Sequence, residues 1–304
     1  MITSNVGTSI ERALEVLGNG GLVAIPTETV YGLAADASNE RAVRRVFAAK
    51  GRPADHPLIV HVATPEQLPE WAATVPAAAA TLAFACWPGP LTLLVPKAAH
   101  VLSIVTGGRD TVGIRVPAHA LATELLTRFG GGLAAPSANR FGKVSPTTAA
   151  HVAADLGDRV DYILDGGPCP VGVESTIVDC AVTPPQLLRP GAVTAEQVSE
   201  LLEGSVAPAS GPSRAAGMLA SHYSPHATVM LVEDTAAGLA ATLGRDDTWL
   251  LDRSDDLVAY AHHLYEDLRA ADRRGVHTIV AVLPPPVGLG HAIRDRLIKA
   301  AAPA

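Results

Sequence analysis

From residue 21 to about residue 203, short apolar runs alternate with longer runs of helical period, and few folds accept a chain patterned this way. "GLVAIP" (21–26), "PLIVHV" (57–62), "LTLLV" (91–95) and "TVGIRV" (111–116) read as buried strands. "NERAVRRVFAAK" (39–50), with an asparagine suited to an N-cap, "TVPAAAATLAFACW" (74–87) and "HALATELLTRF" (119–129) read as helices. "GLAA" (132–135) is a further short strand, and "SPTTAAHVAADLG" (145–157) a helix that Ser145 would cap. "DYILD", "STIVD" and "QLLRP" then follow as strands. The mixture predicts an α/β or α+β domain built on one sheet over residues 1–203.

The stretch "GSVAPASGPSRAAG" (204–217) is rich in Gly, Ala, Ser and Pro and reads as the start of a linker over 204–226. Strand-like "ATVMLV" (227–232), "DTWLLD" (247–252) and "HTIVAVL" (277–283) alternate with helical runs near 235–243, 254–274 and 288–301. They predict a small parallel, Rossmann-like layer over 227–304. It carries neither GxGxxG nor a Walker A loop, so no classical nucleotide motif marks it. The length of 304 residues suits two domains.

No apolar run is long enough to span a membrane, and no signal segment is visible, so a cytoplasmic protein is expected. Cys86, Cys169 and Cys180 form no CxxC and have no matching histidine spacing, which argues against a structural metal or disulfide framework. Cys86, within "AFACWP", reads as a buried thiol. The net charge of −7 weighs against a surface devoted to gripping a phosphate backbone. There are nineteen arginines and only four lysines, and two of those lysines, Lys50 and Lys143, fall inside the stretches described next.

Five stretches could carry chemistry. "IPTETVYGLAADA" (25–37) delivers Thr27, Glu28, Thr29 and Tyr31 at a strand end, where open sheets bind ligands. It could equally be a polar turn. In "AAKGRPADHPLIVHV" (48–62), Lys50 and Arg52 suit either a helix C-terminus or a phosphate clamp. His61, at the end of that strand, is more simply a satisfied core histidine. In "DTVGIRVP" (110–117), Arg115 points opposite to Ile114 and Val116 and needs a partner, either an internal carboxylate or that of a ligand. "PSANRFGKVSPTT" brings hydroxyls, backbone N–H groups and a helix start together, as an anion requires. The last pair, "GVESTIVDC" (172–180) and "LLRPG" (187–191), places Ser175 and Arg189 at strand ends. No Ser/His/Asp order, nucleophile elbow or activated cysteine signature is present, so covalent catalysis has no candidate.

In order along the chain, "PTETVYGL", "KGRP…HPLIVHV", "WPGPLTLLV", "VGIRVPAH", "APSAN…SPT", "GVESTIVD" and "LLRPG" resemble the L-threonylcarbamoyladenylate synthases, the YrdC-like proteins. Lys50, Arg52, Ser137 and Asn139 match the KxR…SxN signature. "GMLASHYSPHA" (217–227) and "GLGHAIRDRLIKAA" are similar to the longer, two-domain form. The resemblance implies a twisted mixed sheet around a large, open, electropositive cavity, with a smaller Rossmann-like α/β domain behind it. It implies synthesis of threonylcarbamoyl-AMP and pyrophosphate from L-threonine, bicarbonate and ATP with Mg²⁺. The product would pass to the machinery that transfers the threonylcarbamoyl group to tRNA; direct binding of tRNA is not implied. Carried over by motif, Lys50 and Arg52 would serve catalysis. Thr29, His61, Arg115, the backbone at Ala135, and Ser175 would hold threonine. Arg52, the turn at His56, Thr111, Ser137, Asn139, Ser145, Arg189 and Tyr223 would hold ATP. His56 departs from the asparagine commoner in that turn, which a backbone contact would survive. The resemblance supplies no protein metal ligands.

Overall fold

The computed structural model describes residues 5–211 and 214–303. Among them, eleven strands form one twisted, mixed sheet. From edge to edge these are Val6–Gly7, Tyr162–Leu164, Val23–Ile25, Gly32–Asp36, Leu133–Ala134, Ile59–His61, Thr111–Arg115, Leu91–Pro96, Thr176–Asp179, Gln186–Arg189 and Ala207–Pro208. The strand Gly32–Asp36 is absent from the sequence reading. Its "GLAAD" has none of the β-branched residues that announce a strand; the ladder to Val23–Ile25 decides it instead. "PTETVY" is therefore the connection between two antiparallel strands.

The helix Glu40–Lys50 forms as its pattern predicts. Asn39 caps it by accepting the Ala42 N–H, Val43, Val46 and Phe47 enter the core, and Arg41 and Arg44 face solvent. Gly51 ends it in the left-handed region at φ 66°, which only glycine adopts without strain. The helix read over 145–157 needs correction. It begins at Ala149, with Thr148 accepting the His151 N–H, so Ser145 is not the cap. Cys86 also differs from expectation, being only half-buried, whereas Cys169 and Cys180 are buried; all three are free thiols.

A second sheet has three parallel strands, with Thr278–Val282 between Thr228–Val232 and Thr248–Leu251. The helix Leu257–Arg273, capped by Asp256, lays Tyr260, Leu264, Tyr265 and Leu268 into an apolar cluster shared with Val30, Val144 and Val173 of the large sheet's loops. Each such side chain contributes roughly 1.5–3 kcal/mol by leaving water, so the two layers are joined by a common core. Arg269 adds a two-pronged ion pair to Asp155 across the junction, at 2.9 and 2.6 Å. The segment read as a linker is largely ordered in place. Ala207–Pro208 extends the large sheet by pairing with Gln186–Arg189, and His222 and Tyr223 are buried.

Candidate active site

The hairpin connection folds on its own hydroxyls. Thr27 Oγ1 donates to the Val30 carbonyl at 2.7 Å and lies 2.9 Å from Thr29 Oγ1, which makes Thr29 the donor of that pair. The same turn buries Glu28. Two strands away, parallel pairing sets His61 beside Arg115. Arg115 gives its Nε to the Gly89 carbonyl at 3.3 Å and brings Nη2 to 2.8 Å from Glu28 Oε1. Of the two partners the sequence allows, the structure supplies the internal carboxylate. The pair is close but not aligned as a hydrogen bond, so both Glu28 oxygens and Arg115 Nη2 keep unused capacity. His61 is neutral: burial, and then the Arg115 charge, lower its pKa to about 3.

Lys50 and Arg52 diverge on either side of Gly51. The Lys50 ammonium is buried and donates to the Ser137 and Asn139 carbonyls at 2.5 and 2.6 Å, which ties the "PSAN" loop to the helix end. Desolvation, and next the neighbouring Arg52 charge, push its pKa well down. Arg52 donates to the His56 and Pro57 carbonyls at 3.4 and 3.0 Å, fixing the turn before the strand Ile59–His61. Burial lowers its pKa to about 10, leaving it cationic at neutral pH.

Arg189 grips Ser175 twice, through the carbonyl at 2.9 Å and Oγ at 3.0 Å, and reaches the Ala216 carbonyl at 3.2 Å. Ser175 Oγ also lies 2.8 Å from Thr92 Oγ1. Next to it, Glu174 accepts from Ser145 Oγ at 2.6 Å, Tyr265 OH at 2.7 Å and Arg296 Nε at 2.9 Å. Burial alone would raise this carboxyl's pKa. The Arg296 and Arg189 guanidiniums and the two hydroxyl donors more than reverse that and hold it at about 2. Tyr265 and Arg296 belong to the small layer, so one buried carboxylate gathers groups from both.

Tyr223 closes the arrangement from the linker. Its φ of 62° is costly for a bulky residue, of order 1–3 kcal/mol. Stacking on Tyr265 at 5.7 Å and the Arg296 guanidinium 5.4 Å from its ring hold it there. Lys299, on the C-terminal helix, donates to the Gly217 carbonyl at 2.6 Å and secures the same segment. Tyr223 OH and His222 Nδ1 are buried without a protein hydrogen-bond partner.

Around these groups lies a cavity of about 50 Å³. Of the residues singled out from sequence, Thr27, Arg52, His61, Arg115, Ala135, Ser137, Ser175, Arg189 and Tyr223 line it. The large open space implied by the resemblance is narrowed because His222 and Tyr223 form one of its walls. The other residues stand behind. Thr29 braces Thr27, and His56 offers its carbonyl to Arg52. Asn139 Nδ2 holds the Arg140 and Lys143 carbonyls, and Ser145 serves Glu174. Lys50 opens on a different pocket, and Thr111 lines a small adjoining one that shares Pro57, Leu58 and Ile59 with the cavity. Sequence reasoning missed Thr92, Glu174, Tyr265 and Arg296 as members of the site. The signal for Arg296 was its place in the tail stretch "GLGHAIRDRLIKAA"; Tyr265 had none.

Residues 15–191 match the family model described as "Telomere recombination", and residues 193–302 match "Threonylcarbamoyl-AMP synthase, C-terminal domain". A threonylcarbamoyl-AMP synthase of Pyrococcus abyssi is 41% identical, with 96% of this chain and 93% of that protein aligned. The synthase of Bacillus subtilis is 40% identical over 99% and 96% of the two chains. Among solved structures, the Pyrococcus abyssi protein complexed with L-threonine superposes with a TM-score of 0.90 at 40% identity, covering 96% of this chain and 94% of that one. By both its domains and nearly its whole length, the chain belongs to the threonylcarbamoyl-AMP synthase family.

Proposed function

We propose that the cavity joins L-threonine, bicarbonate and ATP into threonylcarbamoyl-AMP, releasing pyrophosphate. The observation that carries this reading is the set of three buried guanidiniums, Arg52, Arg115 and Arg189, converging on one small space. Such a site suits an amino-acid carboxylate and a chain of phosphates together. The threonine amine and bicarbonate first give a carbamate and water. A carbamate oxygen then attacks the α-phosphorus, and the bond to the bridging oxygen breaks as pyrophosphate leaves. This chemistry needs held reactants and charge stabilisation rather than a protein nucleophile.

In this reading Arg115, with His61, Thr29, the Ala135 backbone and Ser175, holds threonine. Arg52 and Arg189, with the turn at His56, Thr111, Ser137, Asn139 and Ser145, face the nucleotide, and Lys50 fixes the loop between them. Glu174, the carboxylate that lines the cavity, is already engaged by Arg296. Mg²⁺ therefore enters with ATP as its counter-ion rather than on a protein ligand set. A space of about 50 Å³ is far below the roughly 300–1,000 Å³ that small-molecule sites offer. The His222–Tyr223 segment must move outward for ATP to enter, and its return would exclude water from the carbamate and the mixed anhydride. The product is a reactive adenylate suited to supplying a tRNA-modifying transferase inside the cell.

Incubation of the purified chain with ATP, Mg²⁺, bicarbonate and labelled threonine tests the proposal. It requires a labelled adenylate and one pyrophosphate per adenylate. Pyrophosphate release that does not depend on threonine would overturn it.

A further inference from the structure

A second pocket, of about 440 Å³, lies where the "PSANRFGK" loop meets the helix Leu257–Arg273. It and the cavity meet at one helix end: Arg52 lines the cavity, while Lys50 and Gly51 line this pocket. Its ionisable walls include Lys50, Arg140, Lys143 and Arg269 against two carboxylates, Asp155 and Asp272. Both carboxylates already have donors. Asp155 takes the two terminal nitrogens of Arg269, and Asp272 accepts the backbone N–H groups of His226 and Ala227 at 2.9–3.0 Å. Lys50 has only carbonyl partners, and Arg140 and Lys143 project from the exposed rim. Four basic side chains against two carboxylates leave the walls of this space with an excess of basic groups, in a chain whose net charge is −7.

An independent sign of a ligand comes from Arg269. Its terminal nitrogens are engaged by Asp155 and the Val144 carbonyl, yet its Nε–H is buried with no acceptor. A buried guanidinium N–H without a partner is costly, and a ligand oxygen is the natural remedy.

We propose that this pocket binds inorganic pyrophosphate, as a second polyphosphate site beside the cavity. The inference rests on the synthase reading, in which a highly charged anion is released in the cavity that Arg52 lines, while the linker leaves little room around it. An excess of basic side chains and an orphan N–H match that anion in sign and in hydrogen-bond capacity. Two of the cations are exposed, so the affinity falls as salt rises.

The test is calorimetric titration of the full chain with inorganic pyrophosphate at low salt, with sulfate as a control. The wild type should bind two equivalents. R140A/K143A should lose one of them, or weaken it at least tenfold, while threonine affinity stays the same. Both side chains are exposed, and a matched thermal melt of the variant separates lost binding from lost fold. A single equivalent in both proteins overturns the proposal, as does a second equivalent that survives the substitutions or that sulfate occupies equally well. The titration needs no turnover. A chain that binds two equivalents but makes no adenylate would refute the synthase reading and leave the pocket standing.

Discussion

Arg296→Met removes the guanidinium that crosses from the C-terminal helix to Glu174, while keeping most of the side chain's volume. Arg296 is 1% exposed and also donates to the Pro190 carbonyl and Asp295 at 2.8 Å each. In the variant, Glu174 stays buried with only Ser145 and Tyr265 as donors. Losing one partner of a buried ion pair costs about 3–5 kcal/mol. The carboxyl itself gives a second measure. Its pKa falls from 4.5 to about 2 on folding, a shift worth roughly 3 kcal/mol at neutral pH. A depressed pKa stabilises the fold above 4.5, and that contribution is lost as pH falls through 4.5 towards 2. In the variant the carboxyl is desolvated without Arg296, its pKa rises, and acid relieves the penalty. The stability gap between the two proteins, measured by urea unfolding, is therefore about 3 kcal/mol at pH 7 and narrows below pH 4.5. Adding Glu174→Gln should cost much less than the sum of the single substitutions, since neither charge then stays behind alone. A gap of equal size at pH 7 and pH 4, or strictly additive costs, would show that Glu174 and Arg296 do not act as a pair.

Threonine should be required for adenylate formation, with serine roughly tenfold slower for one lost methyl and valine inactive; equal rates with valine in the pyrophosphate-release assay would exclude recognition of the hydroxyl. Arg52→Ala should weaken ATP binding and Arg115→Ala threonine binding, a split that calorimetry reads directly and that collapses if both variants lose only ATP affinity. Gly217 has φ 80°, and an added Cβ would stand 2.9 Å from Tyr223 OH and 3.2 Å from Arg189 Nη1. Gly217→Ala and Tyr223→Ala should therefore both lower adenylate yield with the large sheet still folded, and ligand should protect the wild-type linker from protease more than either variant's. His61 and His222 are both buried, with pKa values lowered to about 3. Their imidazole proton resonances should not titrate between pH 5 and 8, and folding stability should fall as pH drops below 6.5, where only the unfolded histidines take up protons; titration of either near 6.5 would contradict its burial.

The sequence alone determined the elements whose cause is local. The helix Glu40–Lys50 was legible because Asn39, the spacing of Val43, Val46 and Phe47, and Gly51 lie within one short stretch. The three parallel strands of the small layer were legible from their apolar runs. Of the cavity's cations, Arg115 was legible as a charge within an apolar strand, whereas Arg52 and Arg189 stood out through the motifs that carry the family resemblance. What pairs with those charges was not legible. Arg115 could have awaited a ligand, yet it stands against Glu28. Ser145 has the look of a helix cap, yet its hydroxyl serves Glu174, while Thr148 caps the helix. The strand Gly32–Asp36 carries no strand propensity and exists because its neighbours leave a ladder to be filled. Glu174 takes its donors from residues 29, 91 and 122 positions away. Periodicity and capping act over a few residues, so a sequence displays them. The partner of a buried charge is whichever group the folded chain brings within about 3 Å, and only the packing of the two layers around the linker decides that.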